Sequence, residues 1–168
     1  SSRCFRQASS SVIILAFALL QEIFVVSYSC NPTPCKMNND FICPKCEGYL
    51  VVGGSVILSI SMQSGLRGLI LLSPELGNYA KVSSPHVKIE NGEMLDYYCP
   101  ICHAKLAASD VHPRLVRLIM IDDKSKRHEI FFSGIVGEHC TYKISETVYE
   151  KFGESSATYD QYFKTRRI

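Results

Sequence analysis

The chain carries one octet twice, as Cys43-Pro-Lys-Cys-Glu-Gly-Tyr-Leu50 and as Cys99-Pro-Ile-Cys-His-Ala-Lys-Leu106. Both copies follow the pattern C-P-x-C-x-x-x-L, and 52 residues lie between Cys46 and Cys99. Two cysteines at this spacing can point both sulfurs at one ion when the backbone makes a tight turn. The proline between them presets the φ angle for such a turn. The two octets therefore predict one metal site with the four ligands Cys43, Cys46, Cys99 and Cys102.

Four thiolates form a closed tetrahedral shell that suits Zn²⁺, with metal–sulfur distances of about 2.3 Å and no position left for a substrate. We therefore expect a structural zinc site from which Leu50 and Leu106 exclude water. Iron is the alternative metal, because tetrahedral thiolates also bind it. A disulfide framework is disfavoured, because a Cys-x-x-Cys pair tends to form a strained, redox-active bridge and two copies of one motif favour one shared ligand.

The paired octets resemble the knuckles of zinc-ribbon and rubredoxin-like proteins. This resemblance covers 16 of the 168 residues and implies a Cys4 metal site but no particular activity. Such knuckles often carry glycine directly after the second cysteine, where the backbone adopts a positive φ angle. Glu47 and His103 occupy that position here. We expect Gly48 to meet the requirement one position later in the first knuckle.

The pattern of apolar residues after position 36 predicts a mainly β (α+β) domain built on an antiparallel sheet. Strands are expected at residues 55–62, 67–73, 115–121, 128–132 and 139–144. Asn91-Gly92 predicts a hairpin between short strands at 87–89 and 94–98. A helical segment is expected from about residue 145, as a short helix at 147–152 and further helical turns at 155–163. Apart from the octets, no repeat is visible in the sequence.

The composition divides the chain into two parts. Residues 1–36 are dominated by apolar runs at 12–20 and 23–26, whereas residues 37–168 carry 15 basic and 15 acidic side chains. We interpret 1–36 as a segment outside the fold: an upstream translated stretch, since the first methionine is Met37, or a signal peptide or membrane anchor. Residues 37–168 are expected to form a single zinc-binding domain. This domain is predicted to be cytoplasmic, or exported or membrane-anchored if residues 1–36 are a genuine signal or anchor.

The remaining residues do not indicate catalytic chemistry. Cys140 follows His139, but adjacent strand residues point to opposite faces, so the histidine is not expected to activate the thiol. His103 completes a C-x-x-C-H haem-attachment pattern that the first octet lacks, and it is interpreted as an exposed neighbour of the metal site or a hydrogen-bond donor to it. The other histidines outside the strand at 139–144 are interpreted as surface or turn residues: His86, His112 and His128.

A closed metal site in a neutral domain favours a non-catalytic interaction or regulatory role, with another protein as the partner. An aromatic contact surface is available from Tyr97, Tyr98, Tyr142, Tyr149, Tyr159 and Tyr162. The second hypothesis is a nucleic-acid-binding zinc ribbon, which the balanced charge disfavours. Its basic residues would be Arg114, Arg117, Lys124, Lys126, Arg127, Lys164, Arg166 and Arg167. The third hypothesis is a rubredoxin-like iron electron carrier. Membrane contact is not expected unless residues 1–36 are retained.

Overall fold

Ten strands form two antiparallel sheets in the computed structural model, which describes residues 39–164. The predictions for residues 1–36 and for the basic residues Arg166 and Arg167 lie outside this range. The strands are β1 Asp40–Ile42, β2 Val51–Val52, β3 Ser55–Ser61, β4 Arg67–Leu72, β5 Lys81–Ser83, β6 Asp96–Tyr98, β7 Leu115–Ile121, β8 Arg127–Ser133, β9 Thr141–Ile144 and β10 Tyr149–Phe152. A 3₁₀ helix at Glu154–Tyr159 and a short helix α1 at Asp160–Lys164 follow them. The prediction of a mainly β fold is confirmed.

The first sheet has the order β2-β3-β4-β5, and β6 also pairs with β3. The second sheet has the order β1-β7-β8-β9-β10. Strands that are neighbours in sequence pair as hairpins, with two exceptions that cross between the sheets. β1 precedes the first sheet but pairs with β7, and β6 precedes the second sheet but pairs with β3.

The main core lies where alternate residues of the two sheets face each other. In β3, Val56, Leu58 and Ile60 are buried and their neighbours are only half-buried, as the period of two in the sequence predicts. Leu118 and Met120 of β7 belong to the same buried cluster. Burying such a side chain contributes about 1.5–3 kcal/mol. Phe41 of β1 and Tyr97 of β6, the strands that lead into the two octets, also belong to this core.

The two sheets repeat one pairing pattern. Every pair between β3 and β4, from Val56↔Leu72 to Ser61↔Arg67, recurs 60 positions later between β7 and β8. The pairing of β4 with β5 recurs in the same way between β8 and β9. The crossing strands also correspond, because β1 meets β7 in the register in which β6 meets β3. The domain is therefore an internal duplication whose halves exchange their first strands.

This duplication is difficult to see in the sequence because few side chains outside the octets are shared between the halves. Equivalent positions retain small residues where the backbone turns, such as Ser73 with Ser133 and Gly77 with Gly137. Both glycines have positive φ angles, of 86° and 83°, which favour glycine over other residues. Some buried positions are identical, such as Leu58 with Leu118, but others differ even in character, such as Leu69 with Glu129, so only the octets are recognisable as a repeat in the sequence.

The halves differ in what covers the outer face of each sheet. On the second sheet, Phe131 and Tyr142 are paired across β8 and β9 and are buried beneath Tyr159 and Phe163 of the C-terminal helical segment. The equivalent pair on the first sheet is Leu71↔Val82, and it faces outward. The side chain of Val82 is 64% exposed. The helical segment therefore covers one sheet and leaves the other uncovered among the described residues.

Three local predictions are wrong. Residues 149–152 form strand β10, which pairs with β9, so the helical segment begins at Glu154 and not near residue 145. Residues 87–89 are not a strand, because Val87 packs into the main core beside Gly68. Asn91-Gly92 does make a turn, but the Gly92 amide donates to the Val136 carbonyl and β6 pairs with β3. The hairpin expected at this turn therefore does not form.

No helix within residues 39–164 has both the length and the apolar character needed to span a membrane.

Candidate metal centre

The four predicted cysteines converge on one point. Their sulfur atoms all lie within 4.8 Å of one another. The Sγ atoms of Cys43 and Cys102 are 3.9 Å apart, and those of Cys46 and Cys99 are 3.8 Å apart. Four sulfurs placed tetrahedrally at about 2.3 Å from a central ion would be about 3.8 Å apart. The cluster therefore has the dimensions of a tetrahedral thiolate site.

The contacts across the cluster are reciprocal. The first cysteine of one octet meets the second cysteine of the other in both directions, as expected for halves related by a two-fold rotation. Cys43 and Cys99 are buried, whereas Cys46 and Cys102 are exposed. Each half therefore contributes one inner and one outer ligand, and neither half contains the complete site.

The same two backbone hydrogen bonds close each of the two knuckles. The amide of Cys43 donates to the carbonyl of Gly48, and the carbonyl of Cys43 accepts a hydrogen bond from the amide of Glu47. Both donor–acceptor distances are 3.0 Å. The second knuckle repeats these bonds from the amide of Cys99 to the carbonyl of Ala104 and from the amide of His103 to the carbonyl of Cys99. The turn that the Cys-Pro-x-Cys spacing predicts is thus present twice.

The expectation for Gly48 is wrong. Glu47 and His103 themselves adopt positive φ angles, of 56° and 59°, directly after the second cysteine of each knuckle. Each therefore holds a conformation that costs about 1–2 kcal/mol for a residue with a side chain. Gly48 has a different role, since a Cβ atom there would lie 2.5 Å from Cδ1 of Ile101 in the other knuckle. Its small size allows the two knuckles to approach each other.

Leu50 and Leu106 occupy the water-excluding positions that the sequence predicts. Each is 2% exposed, and both belong to the main core. Their amides donate to the carbonyls of Phe41 and Tyr97, the equivalent residues of β1 and β6. The apolar end of each octet is therefore anchored to the strand that leads into it. This arrangement connects the metal site directly to the folded core.

The thiols of the second knuckle differ in acidity in the absence of a metal. Hydrogen bonding from the backbone at Ala104 lowers the pKa of Cys102 to about 7. Burial raises the pKa of Cys99 to about 12. A metal that binds all four sulfurs must displace the protons that remain, so its uptake releases protons.

The donor set fits a metal that prefers soft ligands and tetrahedral geometry. Zn²⁺ meets both conditions, and so does iron in a thiolate site. When bound, the ion would hold Cys43 and Cys46 of one half to Cys99 and Cys102 of the other. All four tetrahedral positions would then be filled by protein sulfur.

The other cysteine and histidine candidates do not join the site. Cys140 is fully buried among aromatic side chains, and burial raises the pKa of its thiol to about 12. His139 stacks on Tyr79, with ring centroids 4.4 Å apart, and does not contact the Cys140 thiol. His103 is exposed beside the metal site. These positions agree with the interpretation of Cys140 as a buried apolar residue and not as a nucleophile.

One of the three remaining histidines was misjudged from the sequence. His86 is exposed, and His112 packs at the surface against Tyr159 and Tyr162. His128 is buried in β8, and its Nε2 lies 3.0 Å from a carboxylate oxygen of Asp122. Hydrogen bonding from His128, together with two backbone amides of the β7–β8 turn, lowers the pKa of Asp122 to about 2. The pair supports the turn and lies outside the cysteine cluster.

The basic residues proposed for nucleic-acid binding are partly engaged elsewhere. Arg127 binds Glu47 of the first knuckle at 2.7 Å. Arg117 binds Asp110 and lies 3.5 Å from Glu129. Both arginines are therefore neutralised by acidic neighbours. The contact between Arg127 and Glu47 also ties β8 of the second half to the knuckle of the first, and no sequence signal indicated it.

Most of the tyrosines proposed as a contact surface are core residues. Tyr97, Tyr142 and Tyr159 are buried, whereas Tyr98 and Tyr149 are half-buried. Tyr162 is the one exposed member of this set, at 39%. The hypothesis of a tyrosine contact surface therefore fails for the buried members.

No protein-family model matches the chain, and no curated protein or solved structure is significantly similar to it.

Proposed function

We propose that this protein is a non-catalytic interaction domain whose fold is held by one structural zinc ion bound to Cys43, Cys46, Cys99 and Cys102. The observation that carries the proposal is the convergence of four cysteines from two halves of the chain at tetrahedral spacing. A closed shell of protein ligands suits structural support and not water activation. As the sequence suggests, we place the protein in the cytoplasm and liken its knuckles to those of zinc ribbons.

Elemental analysis of the protein as expressed, together with its ultraviolet–visible spectrum, tests the metal. We expect one zinc per chain and no visible absorption band. A visible iron–thiolate band with a reversible redox potential would instead support an electron carrier. A preparation that contains neither metal, and takes up neither zinc nor iron after reduction, would contradict the proposed site altogether.

The proposed partner is another protein, and the uncovered face of the first sheet supports this choice. Ile57, Leu71 and Val82 form a row across β3, β4 and β5, with Leu69 beside it. The side chains of Leu69 and Val82 are 51% and 64% exposed. Contiguous exposed apolar side chains are typical of protein contact sites. On the equivalent face of the second sheet, a helical segment with two aromatic side chains fills this position, so a similar segment of a partner is the occupant we expect.

A double variant, Leu69→Lys with Val82→Lys, tests the partner in extracts of the native host. Gln63→Lys with Ser64→Lys in the exposed β3–β4 turn is the matched control, because it adds the same two positive charges away from this face. We expect a protein that co-purifies in constant proportion with the wild type and with the control variant, and that is lost from the variant of Leu69 and Val82. Recovery of the same proteins with all three forms would contradict the assignment of this face.

A further inference from the structure

A second place where the halves meet is a cavity of about 130 Å³ between the two sheets. It is bordered by two equivalent loops, residues 73–80 and 133–140, and its apolar lining includes Phe41, Leu76, Tyr97 and Val136. An engineered cavity of about 150 Å³ lined by similar side chains binds benzene in another protein. This cavity can therefore hold an apolar group of about that size.

The strand register shows which polar groups join the apolar lining. Val56, Leu72 and Lys81 are directly opposite one another on β3, β4 and β5, and all three line the cavity. Because paired residues share a face, Lys81 lies on the inward face of the edge strand. Thr141 is the equivalent residue of the second sheet and also lines the cavity. The row on the first sheet therefore runs from two apolar side chains to the ammonium group of Lys81, and the equivalent row on the second sheet ends in the hydroxyl group of Thr141.

Among the described residues, Lys81 is the charged group of this lining for which no partner is recorded. The carboxylate of Glu75 accepts a hydrogen bond from Asn78. Glu138 accepts hydrogen bonds from Ser133 and Tyr159. His139 lies 3.4 Å from Glu154, whereas none of the acidic groups of residues 39–164 lies within 4.0 Å of the Lys81 ammonium group. Partial burial lowers the pKa of Lys81, which is the direction expected for a cation that lacks a counter-ion.

We propose that this cavity binds a small monocarboxylic acid with a compact apolar body, whose carboxylate pairs with Lys81. The apolar body would displace poorly bound water from the space between the sheets, and the anion would satisfy the ammonium group. This site is separate from the metal centre and does not depend on the proposed zinc or on a protein partner.

Phenylacetate is the probe, and 2-phenylacetamide and acetate are its matched controls. They share, respectively, its apolar body and its anionic group. Binding to the metal-loaded protein is measured by calorimetry and by shifts of the amide NMR signals. We expect phenylacetate to bind at least about tenfold more tightly than either control, because a charge-assisted hydrogen bond and the apolar contacts both contribute. The shifted signals should belong to the two loops at 73–80 and 133–140.

Two kinds of variant separate the two contributions. Lys81→Gln should reduce affinity for phenylacetate about tenfold and leave the amide unaffected, whereas Lys88→Gln removes an equal charge that does not line the cavity and should change neither. Leu76→Trp, or Val136→Phe if that variant does not fold, should fill the cavity and abolish binding of both aromatic probes. Metal content and unfolding temperature show that each variant is folded.

Three results would overturn the proposal. Binding of none of the probes at millimolar concentration would show that the cavity is not a ligand site. Equal affinity for the acid and the amide would show that Lys81 selects nothing. Self-association of Lys81→Gln with unchanged affinity for phenylacetate would show that the lysine only keeps an edge strand from pairing with another chain.

Discussion

Replacing one ligand, Cys99→Ser, should remove the metal and part of the stability together. If free zinc stands a thousandfold above the dissociation constant, the bound ion contributes about 4.1 kcal/mol to the free energy of unfolding. A domain of about 130 residues unfolds with an entropy of about 270 cal/mol/K at its midpoint. The loss should therefore lower the unfolding temperature by about 15 °C. It should not unfold the protein, because most of the core between the two sheets consists of apolar side chains outside the cysteine cluster.

The matched control is Cys140→Ser, which changes a buried cysteine outside the cluster. A serine hydroxyl in that enclosed aromatic site should cost about 1–3 kcal/mol if it finds no partner. This variant should nevertheless retain one zinc per chain. Because both substitutions lower stability, metal content and the response to a chelator distinguish them.

Thermal unfolding with and without a chelator, followed by circular dichroism, gives the required comparison. Wild type and Cys140→Ser should each lose about 15 °C when the metal is removed, and Cys99→Ser should lose nothing more. Hydrogen exchange should accelerate around residues 94–106 and change little in β7 and β8. Stoichiometric zinc in Cys99→Ser with a normal chelator response would refute the reasoning. So would a chelator that left stability unchanged and abolished a catalytic turnover.

Four further substitutions have definite expected outcomes. Gly48→Ala should lower the free energy of unfolding by less than about 1 kcal/mol and leave one zinc per chain, because the new Cβ would meet the rotatable end of Ile101. Loss of zinc would contradict this prediction. His103→Gly should raise the free energy of unfolding, measured with denaturant, by at most about 1 kcal/mol, because it relieves a positive φ angle; a lower free energy of unfolding would contradict it. Leu106→Ala should lower the free energy of unfolding by about 2–5 kcal/mol, because the leucine side chain is buried in the core. A decrease of less than about 1 kcal/mol would show that Leu106 does not anchor the knuckle. Asp122→Asn should lower the unfolding temperature by an amount that is constant from pH 7 to about pH 5 and shrinks below about pH 4. The folded pKa of about 2 lies below the ordinary value of 3.8, so the stabilisation is lost only as the pH falls between them. A difference that fades near pH 6 would point to another titrating group.

The parts of this structure that follow from local rules were predictable. The cysteine spacing is a local constraint, because the tight turn and the ligand chemistry both lie within one octet. The long strands were also predictable, since Val56–Met62 has a period of two with one apolar face and Leu115–Ile121 is an almost continuous apolar run of strand length. Their observed bounds differ from the predicted ones by a residue or so.

The parts that depend on distant contacts were not predictable. Tyr149 to Phe152 is too short to show a period, and its pairing with β9 decides its structure. His128 reads as a turn residue beside a charged run, but it is buried in β8, where its Nε2 pairs with Asp122 and its Nδ1 has no partner among the described residues. The exchange of β1 and β6 could not be predicted, because the sequence of each strand does not indicate which of the two sheets it joins.

The exchanged strands also determine what a smaller version of this protein would require. A chain of half this length, with one knuckle, would hold two of the four metal ligands and would lack the strand that its sheet receives from the other half. It would have to find a second copy to complete its sheet and its metal site, so its folding would depend on concentration. Joining the halves through residues 84–95 keeps each at a high effective concentration for the other. Two separate chains would have to associate and bind the metal together. In the joined chain, both events are steps in the folding of one molecule.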